Sequence, residues 1–302
     1  MNEKIEYKVL ARKYRPQTFA DLIGQETLVQ ILTNAITTNR IANAYLLTGV
    51  RGVGKTTTAR LIAMSLNCEN KKEDTCEPCG GCASCKSIRS DHNLDVIEMD
   101  AASKTGVDDV REIIDNVKYK PVNCKFKIFI IDEVHMLSKS AFNALLKTLE
   151  EPPEHVKFIF ATTEVKKIPI TILSRCQRFD LKRVESKDLI QHLKKISELE
   201  KVKIDEDAIS LLVRAGDGSV RDSLSLLDQA IINTDTSVSA ETVANMLGLA
   251  DRGKIYELLG HIAKGQASES LDLFRNLYNS GADIMMIFEE LLNVIHSITQ
   301  IK

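Results

Sequence analysis

The sequence predicts an α/β domain built on a parallel sheet and followed by helices alone. Three observations carry this. Apolar runs AYLL (44–47), LDVIEM (94–99), KIFIID (127–132) and KFIFAT (157–162) alternate with amphipathic stretches, as in strand–helix units. The runs are rich in Val, Ile and Phe on both parities, which suits strands covered on two faces. After Arg183 the strand pattern stops: Leu211, Leu212, Ala215 and then Leu224, Leu227, Ala230, Ile231 recur at helical spacing, broken at Gly216 and Gly218. A second helical stretch follows from Leu247, with Ile255, Leu258, Leu259 and Ile262, and later Ile284, Ile287, Phe288, Leu291, Leu292, Ile295 and Ile298. The expected division is 1–183, 184–246 and 247–302. The last helix reaches the chain end without a Gly or Pro stop, so the sequence reads as part of a longer protein.

Composition narrows the class. With 302 residues, 44% hydrophobic and 27% charged, the chain is globular, neither collagen-like nor wholly disordered. A balance of 40 basic against 42 acidic residues removes the long-range positive field of a DNA-coating protein, so any nucleic-acid contact must be local. No Trp, nine Phe and six Tyr leave few rings for a base-stacking surface. No apolar run approaches the roughly 20 residues that span a bilayer, and the start, MNEKIEYKVLARKYRP, is charged where a signal peptide would be apolar. A cytoplasmic protein is expected.

The strongest motif is Gly49-Val50-Arg51-Gly52-Val53-Gly54-Lys55-Thr56, which fits G-x-x-x-x-G-K-[ST] at every fixed position. AYLL leads in, and KTTTARLIAMSL leads out with Ala59, Ile62, Ala63 and Leu66 on one helical face, so the glycines lie at a strand-to-helix turn. Backbone amides and the helix N-terminus then converge on phosphate; Lys55 reaches the β/γ-phosphates, Thr56 ligates Mg²⁺, and Thr57 completes the cradle. The competing reading is a chance Gly-rich turn. Its partner is a strand ending in two acids, Ile131-Asp132-Glu133. Asp132 is expected to hold Mg²⁺ and Glu133 to polarise the attacking water. Asp132-Glu133-Val134-His135 also spells the helicase motif DExH, but a helicase motor needs two nucleotide-binding cores and this chain offers one. His135 is then a local packing or hydrogen-bonding residue.

Five of the seven cysteines, Cys68, Cys76, Cys79, Cys82 and Cys85, fall within 18 residues. Two-residue spacing lets thiolates turn back on one ion, and Gly80-Gly81 frees the backbone. A structural zinc is the favoured reading. A [4Fe–4S] cluster, whose C-x3-C-P ending is missing, and a redox thiol set are the alternatives.

These residues resemble the AAA+ ATPases and, within them, the gamma/tau clamp-loader family of bacterial DNA polymerase III. The likeness rests on LARKYRPQTFADLIGQE (10–26), GVRGVGKTTTAR (49–60), the cysteine insertion (68–85), IIDEVHMLSKSAFNALLKTLEEPPEHVKFIFATTE (130–164), ITILSRCQRF (170–179) and GDGSVRDSLSLLDQA (216–230). It implies an AAA+ ATPase core with a zinc-binding insertion, a helical lid over 184–246 and the start of a helical collar over 247–302. By the family pattern Cys68, Cys79, Cys82 and Cys85 match the zinc ligands, and Cys76 is a departure that could replace Cys68. Thr163 matches the sensor beside the carboxylates, with Thr162 as fallback; Arg175 matches the arginine finger acting in trans; Arg221 matches the second sensor; Tyr14-Arg15-Pro16 match the segment covering adenine. Read without the resemblance, Arg175 is a solvated loop residue, Arg221 a helix-surface arginine and Tyr14 a turn residue packed in the core.

The implied cofactors are ATP, Mg²⁺ and Zn²⁺. The implied partners are other clamp-loader subunits, the sliding clamp and primer–template DNA, with polymerase and helicase contacts beyond this chain. Residues 157–183 carry seven basic side chains (Lys157, Lys166, Lys167, Arg175, Arg178, Lys182, Arg183) against Glu164 and Asp180, a candidate DNA contact or simply a solvated face. No paired metal-binding carboxylates of a polymerase palm are apparent, so the expected reaction is ATP hydrolysis. A DNA-unwinding or branch-migration motor and a non-hydrolysing scaffold are the other readings.

Overall fold

A computed structural model describes residues 7–72, 74–234, 237–248, 252–279 and 283–300; the charged start, MNEKIE, lies outside them. The chain forms two compact units, one of residues up to Leu189 together with Asp217–Leu224, the other of Ile190–Gly216 and the chain from Ser225 onward.

In the first unit, the short helix α1 (Leu10–Lys13) and a 3-10 turn (Phe19–Asp21) precede α2 (Glu26–Thr37). Strand β1 (Ala44–Thr48) leads through the glycine loop into α3 (Lys55–Asn67). Next come α4 (Ala83–Arg89), β2 (Val96–Asp100), α5 (Val107–Val117), β3 (Lys127–Asp132), α6 (Lys139–Glu150), β4 (Val156–Thr162), α7 (Ile170–Leu173) and β5 (Gln177–Asp180). The five strands pair in the order β2-β3-β4-β1-β5, every pair parallel.

The central strands are buried on both faces, which explains their unbroken apolar runs. Alternate residues enter separate cores. Tyr45, Leu47, Ile128, Ile130, Ile159 and Ala161 pack with residues of α2 and α3; Leu46, Phe129, Ile131, Phe158 and Phe160 pack with α5 and α6. Phe129, Phe158 and Phe160 stack with centroids 5.5 and 5.9 Å apart. The edge strand β5 was not among the expected strands, because in QRFD only Phe179 is buried.

The second unit takes most of α8 (Ser186–Leu199), then β6 (Lys203–Ile204), α9 (Glu206–Gly216), the later part of α10 (Val220–Ile232), β7 (Ser237–Val238), α11 (Ala240–Met246), α12 (Arg252–Ala263), α13 (Ala267–Asn279) and α14 (Ile284–Gln300). The helices follow the expected periodicity. One correction is needed: β6 and β7 pair in parallel, so the chain after Arg183 is not helices alone. Two-residue strands are too short to leave a periodic signal. Ile255, Leu258, Leu277, Ile287, Leu291 and Val294 form the core of α12–α14, and the carboxylate of Glu290, buried on α14, is ion-paired to Arg214 of α9.

Candidate functional site

The glycine loop joins the C-terminal end of β1 to the first turn of α3. Gly54 caps that helix with φ 101°, and Gly52 has φ 78°, both in the left-handed region that side chains resist. A Cβ on Gly52 would stand 1.9 Å from Ser219 Oγ, so glycine is required there by contact as well. Val50 and Thr57 are half-buried and Arg51 is exposed. Val53 is buried in the α2/α3 core and anchors the loop from beneath.

Lys55 is only 6% exposed. Its Nζ donates to the carbonyls of Gly49 and Val50, each at 3.1 Å. Burial lowers its pKa, and the nearby Glu133 and Asp132 carboxylates oppose that shift. Thr56 Oγ1 donates to Asp132 Oδ2 at 2.5 Å. The two residues expected to share a magnesium ion therefore meet from elements 76 residues apart.

Glu133 follows β3 in a left-handed conformation, φ 44°, unusual for a residue with a side chain. Its Oε2 accepts from the Thr163 amide at 3.2 Å and from Thr163 Oγ1 at 3.1 Å. Thr163 stands just past β4, next to β3 in the sheet. Thr162, the fallback, instead contacts His135 Nδ1 at 3.0 Å. His135 also stands 3.3 Å from Glu133 Oε2 through Nδ1 and 3.3 Å from Glu164 through Nε2. Sequence reasoning gave it no part in the site; its place two residues after Glu133 was the available signal.

The cysteine segment lies between α3 and β2. The Sγ atoms of Cys68, Cys79, Cys82 and Cys85 all lie within 4.8 Å of one another. Cys76 is apart from this group, 1% exposed, with its Sγ accepting from Thr33 Oγ1 at 3.0 Å. Hydrogen bonds from the backbone amides of Gly81 and Cys82 pull the Cys79 thiol down to about 6, whereas burial pushes Cys68 and Cys85 up. Four thiols grouped in this way could hold a metal ion.

The comparisons with known proteins agree with one another. A family described as DNA polymerase III, delta subunit, matches residues 24–185; the DNA polymerase III clamp loader subunit ATPase lid domain matches 188–236; and DNA polymerase III subunits gamma and tau domain III matches 238–302. The gamma subunit of Buchnera aphidicola subsp. Acyrthosiphon pisum is 43% identical over 98% of this chain and 81% of its own length. The chain belongs to the DNA polymerase III gamma/tau family.

Two longer relatives in the gamma/tau family are the tau/gamma subunit of Haemophilus influenzae, 47% identical over 97% of this chain and 42% of its own length, and the tau subunit of Escherichia coli, 46% identical over 99% and 46%. This chain thus spans less than half of those two. Among solved structures, the Thermotoga maritima RuvB Holliday junction branch migration motor superposes with TM-score 0.56 at 18% identity, covering 84% of this chain and 80% of its own. That likeness shows a shared fold.

The remaining gamma/tau candidates differ in how they relate to the phosphate loop. Arg175 follows α7 and is held within its own unit, with Nη1 donating to the Thr171 carbonyl at 2.7 Å and Nη2 paired to Glu150 at 2.6 Å. Arg221 opens α10; its amide donates to the Gly52 carbonyl at 3.2 Å. Arg15 has its pKa lowered first by burial and then by the Arg60 and Arg221 charges, with Glu98 opposing the shift. Tyr14 and Pro16 are half-buried, so Tyr14 is not the core residue of the alternative reading. The basic run 157–183 is largely occupied: Lys157 is 5% exposed with Nζ 2.6 Å from Asn43 Oδ1, while Lys167, Arg178 and Arg183 pair with Glu164, Asp180 and Asp217. Lys157 is therefore removed as a DNA contact.

Proposed function

We propose that this chain is the ATP-driven motor subunit of a bacterial clamp loader, hydrolysing ATP to open a ring-shaped sliding clamp and set it on primer–template DNA. The observation that carries the reading is the convergence of Lys55, Thr56, Asp132, Glu133 and Thr163 at the ends of β1, β3 and β4, three adjacent parallel strands. Ligands of open α/β sheets bind at the carboxyl ends of the strands.

In this reading the loop amides from Gly49 to Thr57 cradle the phosphates, and the Lys55 ammonium exchanges the Gly49 and Val50 carbonyls for phosphate oxygens. Thr56 and Asp132, which meet at the loop, would hold Mg²⁺, and the ion would supply charge neutralisation for the phosphates. Glu133 takes a proton from the attacking water at its carboxylate, and Thr163 keeps that carboxylate in place through two hydrogen bonds. Arg221 reaches the phosphates in cis; Tyr14 and Pro16 cover the adenine. Arg175 exchanges Glu150 for the γ-phosphate bound by a neighbouring subunit, and a finger of this kind accelerates phosphoryl transfer by about 10³–10⁵. Hydrolysis is thereby tied to assembly.

The thiols of Cys68, Cys79, Cys82 and Cys85 would hold a structural zinc. Zn–S bonds of about 2.3 Å put the sulfurs of a tetrahedral site roughly 3.8 Å apart, compatible with four Sγ atoms inside 4.8 Å. A four-iron cluster holds its thiolates farther apart. Held by these four thiols, the ion would clip the insertion between α3 and β2. The partners in this reading are the other clamp-loader subunits, the clamp and DNA, and the location is cytoplasmic. The proposed domains are the core to residue 183, the lid over 184–246 and the collar from 247.

The deciding experiment mixes Arg175→Ala with Lys55→Ala subunits in the assembled complex. Each variant alone should be nearly inactive, and the mixture should recover ATPase activity at interfaces pairing an intact loop with an intact finger. No recovery would remove Arg175 from its role in trans.

A further inference from the structure

We propose that Glu77 is a positioning residue through which the cysteine insertion sets the N-terminal segment over the nucleotide, so that the state of the four thiols is transmitted to nucleotide affinity. This rests on the nucleotide-site reading given above.

The Glu77 carboxylate spans two amides: Oε2 accepts from Phe19 N at 2.8 Å and Oε1 from Ala20 N at 2.8 Å, across 58 and 57 residues of chain. Those amides open the 3-10 turn Phe19–Asp21, where a helical turn has no internal partner for its first N–H groups. A carboxylate taking both makes charge-assisted bonds with fixed geometry. From the turn, the connection continues toward the nucleotide side. Asp21 Oδ2 accepts from the amides of Gln17 and Thr18 and from Thr18 Oγ1, and Gln17 Nε2 donates to the Arg15 carbonyl at 2.7 Å. Hydrogen bonds at both ends of the short turn, joined by its own main chain at Ala20–Asp21, thus connect Glu77 to the residue between Tyr14 and Pro16.

At its other end Glu77 is fixed by the insertion. It lies between Cys76, bonded to Thr33 of α2, and Cys79, one of the four clustered thiols. Its own amide donates to Thr75 Oγ1 at 3.1 Å. Cys79 sits beside Cys68, its amide 3.2 Å from the Cys68 Sγ, so joining the two closes residues 69–78 into a loop anchored on α3. Phe19, Cys76, Cys82, Cys85 and Val53 of the phosphate loop share one buried core, so the segment, the insertion and the phosphate loop rest on common packing. Opening the thiol cluster lengthens the loop that carries Glu77 and loosens its hold on Phe19 and Ala20.

The test uses the full metal-loaded chain and its Glu77→Ala, Glu77→Gln and Lys55→Ala variants, with a fluorescent ATP analogue for affinity, elemental analysis for zinc, and hydrogen exchange at the Phe19 and Ala20 amides. Glu77→Ala should weaken nucleotide binding about tenfold, the loss of roughly one charge-assisted bond. It should leave zinc content unchanged and speed exchange of both amides. Glu77→Gln, which keeps one acceptor oxygen and so guards against a folding failure, should weaken binding about threefold. Chelating zinc from the unmodified chain should reproduce the Glu77→Ala shift, and chelating it from Glu77→Ala should add less than a further factor of about two. Equal added losses in both proteins would overturn the coupling. Unaltered binding in Glu77→Ala, with binding lost in Lys55→Ala, would overturn this inference alone; unaltered binding in both would overturn the nucleotide-site reading with it.

Discussion

In the first unit Phe129, Phe158 and Phe160 are wholly buried and stacked between the sheet and α5 and α6, whereas on α14 of the second unit Phe288, Leu292 and Ile298 are 52%, 65% and 56% exposed. Both regions are equally apolar in sequence. The sheet covers its apolar residues with its own chain, because strand alternation sends them into two cores that α2, α3, α5 and α6 close. Helix α14 buries one stripe, Ile287, Leu291 and Val294, against α12 and α13 and leaves a second stripe one residue further round. An exposed apolar stripe is what a docking surface would present, and assembly through α14 is the prediction that the contrast makes. The contrast separates a unit built for chemistry from a unit suited to assembly.

The largest expected effect tests whether the chemistry belongs wholly to the first unit. Glu133→Gln keeps the shape of the side chain and its contact with Thr163 but removes the base, so steady-state hydrolysis should fall about 10²–10⁴-fold with ATP binding retained. Normal turnover would remove Glu133 from the role. Next in size is packing. Phe160→Ala deletes a ring with 0% exposure that stacks on Phe158, and chemical denaturation should show a loss of about 3–5 kcal/mol. A loss below 1 kcal/mol would mean that the sheet is not the self-sufficient core described.

A smaller effect concerns the loop before β3. Asp95, 1% exposed, accepts from the amides of Val122, Asn123 and Cys124 at 2.7, 2.7 and 2.9 Å. Burial pushes its carboxyl up, but the three amides outweigh it and the folded pKa lies below the ordinary value. Its stabilising contribution is then complete above about pH 4 and is lost as pH falls through the lowered folded value. Asp95→Asn should cost about 2 kcal/mol at pH 7, and the gap to the unmodified chain should narrow in acid. A gap independent of pH would show that the charge is not what the amides recognise.

The nucleotide site was legible because its parts are tied to local signals. Lys55, Thr56 and Asp132 sit at fixed places relative to a strand end or a helix start, and parallel pairing of β1, β4 and β3 brings those places together. Thr163 could be preferred to Thr162 only by motif, since strand alternation sends neighbouring residues to opposite faces; the structure pairs one with Glu133 and the other with His135. The thiol grouping followed from two-residue spacing and the family pattern, but Cys76 stayed open as a replacement for Cys68; the structure groups Cys68 with the other three and leaves Cys76 bonded to Thr33. Glu77 left no trace in the sequence, because its partners are backbone amides 57 and 58 residues away, and main-chain donors carry no residue identity. The exposed stripe of α14 could not be told from a buried one in the sequence for a related reason. Periodicity reports that a face is apolar, not whether this chain supplies what covers it.

The smallest expected effect on the isolated chain is the sharpest test of that stripe. Leu292 is 65% exposed, so Leu292→Ser removes little buried surface, and stability should change by no more than about 0.5 kcal/mol. ATP binding should be unaltered, since Lys55, Thr56 and Asp132 belong to the other unit. Co-assembly with clamp-loader partners, read by analytical ultracentrifugation, should weaken instead, and more so when Ile295→Ser is added on the same face. The pair of measurements separates the two explanations of an exposed leucine. If stability falls by 2 kcal/mol or more, the stripe is core that belongs to this chain's own fold; if neither stability nor assembly moves, the surface meets nothing and the division between a chemical unit and an assembly unit fails.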